Sequence, residues 1–150
     1  MSPARHTLLA LGVLPLLACA GSKPALRPFY SDGCSLFVDG TPTDPRLWCE
    51  CCYVHDLAYW AGGTEAERLA ADEALRDCVR AKTDDTRLAS AMFEAVRLGG
   101  APVFPNWYRW GYGWPYGRGY GRLSEAEMTQ VSARRAEYER ASPGGYCARN

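Results

Sequence analysis

The sequence predicts an all-α fold, a small helical domain stapled by disulfides. Three observations predict it. Apolar residues recur at helical spacing in runs free of breakers, the runs are bracketed by capping residues or glycine pairs, and no run alternates apolar with polar residues over a useful strand length. Phe29 to Arg46, with Gly33, Gly40, Pro42 and Pro45, excludes a regular helix and reads as an ordered loop pinned by Cys34. Trp48 to Trp60 has no breaker and ends at Gly62-Gly63, so it is the first helix. Thr64 with Glu67 forms a capping box that opens a second helix running to about Lys82. Asp84 or Asp85 caps a third, which carries Leu88, Met92 and Val96 on one side and stops at Gly99-Gly100. Residues 101–122 are rich in glycine and aromatics and read as a loop. Ser124 with Glu127 is a second capping box, stapled by Leu123 against Met128, for a last helix ending before Pro143-Gly144.

A chain of 150 residues that is 47% hydrophobic supports one modest domain. Its 17 basic and 17 acidic side chains balance, so no long-range field argues for nucleic acid or for adsorption on anionic membranes. At the N-terminus, Arg5 and His6 precede the apolar run Leu8 to Leu17, too short to span a bilayer as a helix but suited to the core of an export signal. That run ends in Leu16-Leu17-Ala18-Cys19, which resembles the lipobox of bacterial lipoproteins, where the signal is cut before a cysteine that takes a diacylglyceryl group. The resemblance implies a signal peptide over residues 1–18, an anchor on Cys19, a tether over 19–28 and a folded domain over 29–150. Ala20 is not the aspartate associated with retention at the inner membrane, so the expected address is the outer membrane, facing the periplasm or the cell surface.

Of seven cysteines, those other than Cys19 number six: Cys34, Cys49, Cys51, Cys52, Cys78 and Cys147. Export into an oxidising compartment makes three disulfides the expectation, each contributing about 2 to 4 kcal/mol by restricting the unfolded chain.

The chemistry is concentrated in Cys51-Cys52-Tyr53-Val54-His55-Asp56-Leu57-Ala58-Tyr59. On a helix, spacings of three and four put Cys52, His55, Asp56 and Tyr59 on neighbouring positions of one face. His55 and Asp56 point about 100 degrees apart, so they serve adjacent places without bonding each other. A histidine acting as a base needs a partner on its far nitrogen. On the second helix the apolar stripe runs through Ala71, Leu75, Cys78 and Val79; Asp72 lies nearest its edge, while Glu73 and Asp77 face away. Asp72 is therefore the candidate partner of His55, with Tyr59 as a second donor. Asp56 alone cannot hold a hard cation, because calcium takes six to eight oxygens. If Cys34 is bridged to Cys52, the loop Ser31-Asp32-Gly33-Cys34-Ser35 is tied where its carbonyls and the Asp32 carboxylate face Asp56.

The run CCYVHDLAY resembles the Cys-Cys-x-x-His-Asp-x-x-Tyr signature of secreted phospholipases A2. Upstream, SDGCSLFVDG is similar to the calcium loop of the bacterial and fungal branch, and ADEAL is similar to the helix that carries its buried aspartate. The resemblance covers about Asp32 to Cys78. It implies a fold of two antiparallel core helices with an ordered calcium loop, and calcium-dependent hydrolysis of the sn-2 ester of glycerophospholipids at a membrane interface. His55 would activate water, Asp72 orient it and Tyr59 support it; Asp56, Asp32 and the carbonyl of Gly33 would bind Ca2+. It further implies a Cys34–Cys52 bridge and a bridge from Cys51 to Cys78 or Cys147, with the remaining connectivity, including Cys49, open.

Two other function classes compete. The first is a non-catalytic envelope binder that recognises lipid or a protein through the aromatics between Phe104 and Tyr120. Such rings suit a lipid-water boundary, and equally they suit covering the domain's own core. The second is a zinc site on Cys49, Cys51, Cys52 and His55, which export disfavours because oxidised cysteines make no thiolate ligands.

Overall fold

A computed structural model describes residues 25–148. Four α-helices and a terminal 3-10 turn make up its regular structure: α1 over Cys49–Ala61, α2 over Glu65–Thr83, α3 over Thr86–Gly99, α4 over Glu125–Ala141 and the turn over Tyr146–Ala148. No strand occurs among the described residues, so the all-α class holds. The signal and the lipobox, including Cys19, lie outside the described residues.

The helix ends follow the local chemistry of the sequence. Both capping boxes form, with Thr64 exchanging hydrogen bonds with Glu67 and Ser124 with Glu127, so each exposed N-terminus has donors satisfied by its own side chains. The adjacent aspartates divide the work between two helices. Asp84 ends α2 in the left-handed conformation at φ 55°, and Asp85 caps α3 by accepting from the amides of Arg87 and Leu88.

Three disulfides pair all six cysteines of the domain: Cys34–Cys52, Cys49–Cys147 and Cys51–Cys78. Each has one partner on α1. Cys51 lies opposite Cys78, His55 opposite Asp72 and Tyr59 opposite Arg68, so α1 and α2 run antiparallel. The zinc reading of Cys49, Cys51 and Cys52 is overturned, because none of the three retains a thiol to ligate metal.

The first helix lies between two apolar clusters. On one side Cys51 and Cys52 join Cys34, Trp48, Leu75, Val79, Ala89 and Met92, which packs α1, α2 and α3 together. On the other, Trp60 joins Leu26, Phe29 and Trp114, with half-buried Val131 and Tyr138 of α4 over the top. The described part of the expected tether is thus folded onto the domain. Leu26 is buried, its amide donates to Gln130 at 3.2 Å, and the Arg27 amide donates to the Gly113 carbonyl at 2.8 Å.

The aromatic segment is packed through its middle. Helix α1 ends with carbonyls that lack intrahelical partners, and the loop supplies donors to them. The amides of Gly111 and Gly113 donate to the carbonyls of Tyr59 and Trp60, and the Trp114 indole donates to that of Ala61. Trp110 and Trp114 are buried, while Trp107 and Tyr116 stay exposed. The segment is therefore partly a cover for the core and partly a surface.

Gly113 sits where this loop comes closest to α1. A Cβ there would lie 2.5 Å from Trp60 Cδ1 and 2.6 Å from a Leu26 methyl, both deep in the second cluster. Gly113→Ala is expected to cost about 1 to 3 kcal/mol through overpacking, whereas Gly121→Ala, which meets nothing within 4 Å, is expected to be near neutral. Urea unfolding midpoints check this, and equal midpoints for the two variants would contradict the packing described.

Candidate active site

Helix α1 presents His55, Asp56 and Tyr59 toward a cavity of about 250 Å3. Its walls are mostly apolar, with Leu36 and Phe37 from the loop, Leu75 from α2, and Met92 and Val96 from α3. His55 and Asp56 are buried but not sealed, each 8% exposed, while Asp72 has no exposure.

Asp72 and His55 meet across the α1–α2 interface, with Nε2 of His55 2.8 Å from Oδ1 of Asp72. The Tyr59 hydroxyl donates to the same oxygen at 2.8 Å. The other carboxylate oxygen, Oδ2, accepts from Arg97 Nη1 at 2.7 Å, and Arg68 Nε lies 3.8 Å from it. Burial by itself drives this carboxyl upward, but hydrogen bonds from His55, Arg97 and Tyr59 outweigh it and hold Asp72 below the usual carboxylate value. An ionised carboxylate only accepts, so Nε2 carries the proton and the neutral ring keeps its lone pair on Nδ1. The histidine thus has a defined tautomer at the wall of an apolar cavity.

Tyr59 is locked as a phenol. Burial, with the negative Asp72 beside it, raises its hydroxyl far above the ordinary tyrosine value. Arg68 donates to that hydroxyl at 2.9 Å and also reaches the carbonyls of Val96 and Arg97 and the hydroxyl of Tyr120. This buried guanidinium joins α1, α2, the end of α3 and the aromatic segment.

Asp56 has the opposite electrostatics. Burial raises its carboxyl well above the ordinary value, and Asp32 and Asp39 raise it further; only the Ser31 hydroxyl, donating at 2.7 Å, pulls the other way. Asp39 Oδ1 accepts from the Cys34 amide and Asp32 Oδ1 from the Ser35 hydroxyl, so both acids also brace the loop. Gly33, at φ 78°, has no room for a side chain because a Cβ would overlap the Asp39 carboxylate. Among the described residues, no three His, Cys, Asp or Glu side chains converge as a metal-binding group. The residues do fit a hard cation in charge: Asp56 is buried under the influence of two further carboxylates and has no ion-pair partner among the described residues. Oxygens beyond Asp56 would have to come from the loop that carries Asp32 and Gly33.

The residues expected to carry the chemistry fall in two neighbouring places, His55, Tyr59 and Asp72 in one and Asp56, Asp32 and Gly33 in the other. Arg68, Arg97 and Asp39 are not among the residues the sequence points to, whereas Ser31 belongs to the loop expected beside Asp56. Arg68 had a legible signal, since it stands four residues before Asp72 on the same helical face. Asp39 stands in the same loop as Asp32, but its return toward Gly33 depends on a loop path that has no periodicity. Arg97 comes from a different helix and has no local signal.

Because Asp72 is held below its unfolded value of about 3.9, the stability it contributes is fully present above that value and is lost as pH falls through the folded-state value. Asp72→Asn is therefore expected to be destabilised at pH 7 and to lose less further stability than the parent between about pH 5 and 2. Chemical denaturation across that range checks this, and parallel pH profiles would contradict it.

No protein-family model, curated protein or solved structure matches the chain, so function has to be read from these residues.

Proposed function

We propose that the chain is a calcium-dependent phospholipase A2-like hydrolase that cleaves the sn-2 ester of glycerophospholipids. The observation that carries this reading is the His55–Asp72 pair, 2.8 Å apart, at the wall of an apolar cavity beside the buried Asp56. The residue resemblance to secreted phospholipases A2 across Asp32 to Cys78 gives the substrate class.

The reaction starts with a water held at Nδ1 of His55. The ring takes one of its protons as the water oxygen bonds to the sn-2 carbonyl carbon, and Asp72 steadies the imidazolium through Nε2. When the tetrahedral carbon collapses, the bond to the glycerol oxygen breaks and His55 returns the proton to that oxygen. The products are a fatty acid and a lysophospholipid. Asp56, with Asp32 and the Gly33 carbonyl, would hold calcium, which supplies Lewis-acid stabilisation of the developing oxyanion and a counter-charge for the phosphate. Tyr59 keeps its proton throughout and orients Asp72. The apolar walls, Leu75 and Met92 among them, fit an acyl chain and exclude bulk water. At the mouth, Leu36 and Phe37 are 76% and 51% exposed, which suits contact with a lipid surface.

With mixed phospholipid vesicles, the full chain is expected to release fatty acid from the sn-2 position in calcium and not in chelator. His55→Ala is expected to lower the rate by about 10²- to 10⁴-fold, the usual contribution of a general base, and Asp56→Ala to remove calcium binding together with the activity. Folded protein that binds calcium and releases nothing from any vesicle would refute the reading and leave a lipid-binding protein.

A further inference from the structure

A second cavity has a volume of about 590 Å3. Segments 30–33 and 106–108 contribute to both cavities: Gly33 and Tyr108 line the first, Tyr30 and Trp107 the second. Their charges are opposite. Among the described residues, the first is lined by Asp56 and by no lysine or arginine, and the second by Arg27 and Arg109 and by no acid.

Both guanidiniums point at one atom. Arg27 Nη2 donates to the Trp114 carbonyl at 3.2 Å and Arg109 Nη2 donates to the same oxygen at 2.8 Å, so the two nitrogens lie within about 6 Å of each other. Arg109 also donates to the carbonyls of Trp110 and Gly111, and Arg27 to that of Tyr112. Among the described residues neither forms an ion pair. Arg109 is only 4% exposed, and burial together with the charge of Arg27 lowers its affinity for its proton. Carbonyl dipoles offset part of this cost, but two like charges gathered without a counter-ion favour any anion that reaches them. The remaining walls are aromatic, with Tyr30, Trp107 and Tyr116 each more than half exposed. Rings of this kind cover the carbon skeleton of a small polar molecule, and cationic neighbours disfavour a quaternary ammonium there despite the aromatic faces.

We propose that this second cavity binds a phosphate ester, its anion held by the remaining N–H groups and the charge of Arg27 and Arg109 and its organic part covered by Tyr30, Trp107 and Tyr116. The carbonyls take three of the five N–H groups of Arg109 and two of the five of Arg27, so each guanidinium keeps N–H groups from which phosphate oxygens can accept. The ester can be a soluble metabolite or the headgroup of a lipid. The site is separate from the ester-cleaving one and stands whether or not the chain hydrolyses lipid.

Calorimetry on the full chain tests it, in neutral detergent for soluble probes and after detergent removal for vesicles, with chelator present so that no cation holds phosphate in the first cavity. The soluble probes are inorganic phosphate and sn-glycerol 3-phosphate; the lipid probes are phosphatidylcholine vesicles with and without phosphatidic acid. Glycerol phosphate is expected to bind saturably, more weakly as salt rises, with a Kd at or below about 1 mM. Arg27→Gln, at an exposed position, is expected to weaken it about tenfold, Arg109→Lys to weaken it as well, and His55→Ala to leave it unchanged. Binding confined to phosphatidic acid vesicles, and lost in Arg27→Gln, supports the site with a lipid headgroup as its source. Absence of saturable binding to both kinds of probe by folded protein, or equal binding by Arg27→Gln, overturns the proposal.

Discussion

A carboxylate with no exposure to water has to be surrounded by donors, and much of this domain is arranged to meet that demand at Asp72. Its oxygens draw in His55 and Tyr59 from α1, Arg97 from α3 and, at longer range, Arg68 from its own helix. Three helices that share a modest apolar cluster therefore also share one charge. The apolar contacts are tolerant of small shifts, but hydrogen bonds of 2.7 to 2.8 Å are not. Asp72 thus sets the register of α1 against α2 to within a fraction of a turn, and His55 is held in one orientation as a result.

The same demand explains the crowd around Tyr59. Its single hydroxyl gives a proton to Asp72 and takes one from Arg68, so it passes the carboxylate's influence outward to the carbonyls ending α3 and to the aromatic segment through Tyr120. A catalytic-looking pair is in this way tied to the loop beyond α3. That loop, in turn, completes the hydrogen bonding of α1 at its last carbonyls, so the helix bearing His55 is fixed both along its side and at its end.

The helices were legible because their signals are local: capping boxes at Thr64 and Ser124, aspartates 84 and 85, and glycine pairs where the chain must turn. Asp72 was legible because one helical period places it beside an apolar stripe, and the pairing with His55 followed from what a buried acid needs. The choice of Cys78 as partner for Cys51, and of Cys147 for Cys49, was not legible, since both depend on how elements far apart in sequence pack. The same holds for Arg97, and for the division of the aromatics into buried Trp110 and Trp114 and exposed Trp107 and Tyr116. Their composition is uniform along the segment; the rings that turn inward are those whose indoles meet a carbonyl at or just beyond the end of α1, Ala61 for Trp114 and Gly63 for Trp110. Leu26 reads as part of a tether because it follows the lipobox in a short stretch with Gly21, Ser22 and Pro24, yet the second cluster has an apolar side chain there.

The disulfides overlap in sequence in a way that matters outside the fold. Cys34–Cys52 spans the loop and the start of α1, and Cys49–Cys147 spans everything from α1 to the final turn, so the two intervals share the residues between Cys49 and Cys52. Any single peptide bond between Cys34 and Cys147 is therefore bridged by at least one covalent link. A protease that nicks an exposed turn once cuts the chain without parting it: the pieces migrate together until a reductant is added, and the halves of the interface around Asp72 stay at high effective concentration. For a domain linked in this way, a single cut is then an injury the molecule can survive in one piece.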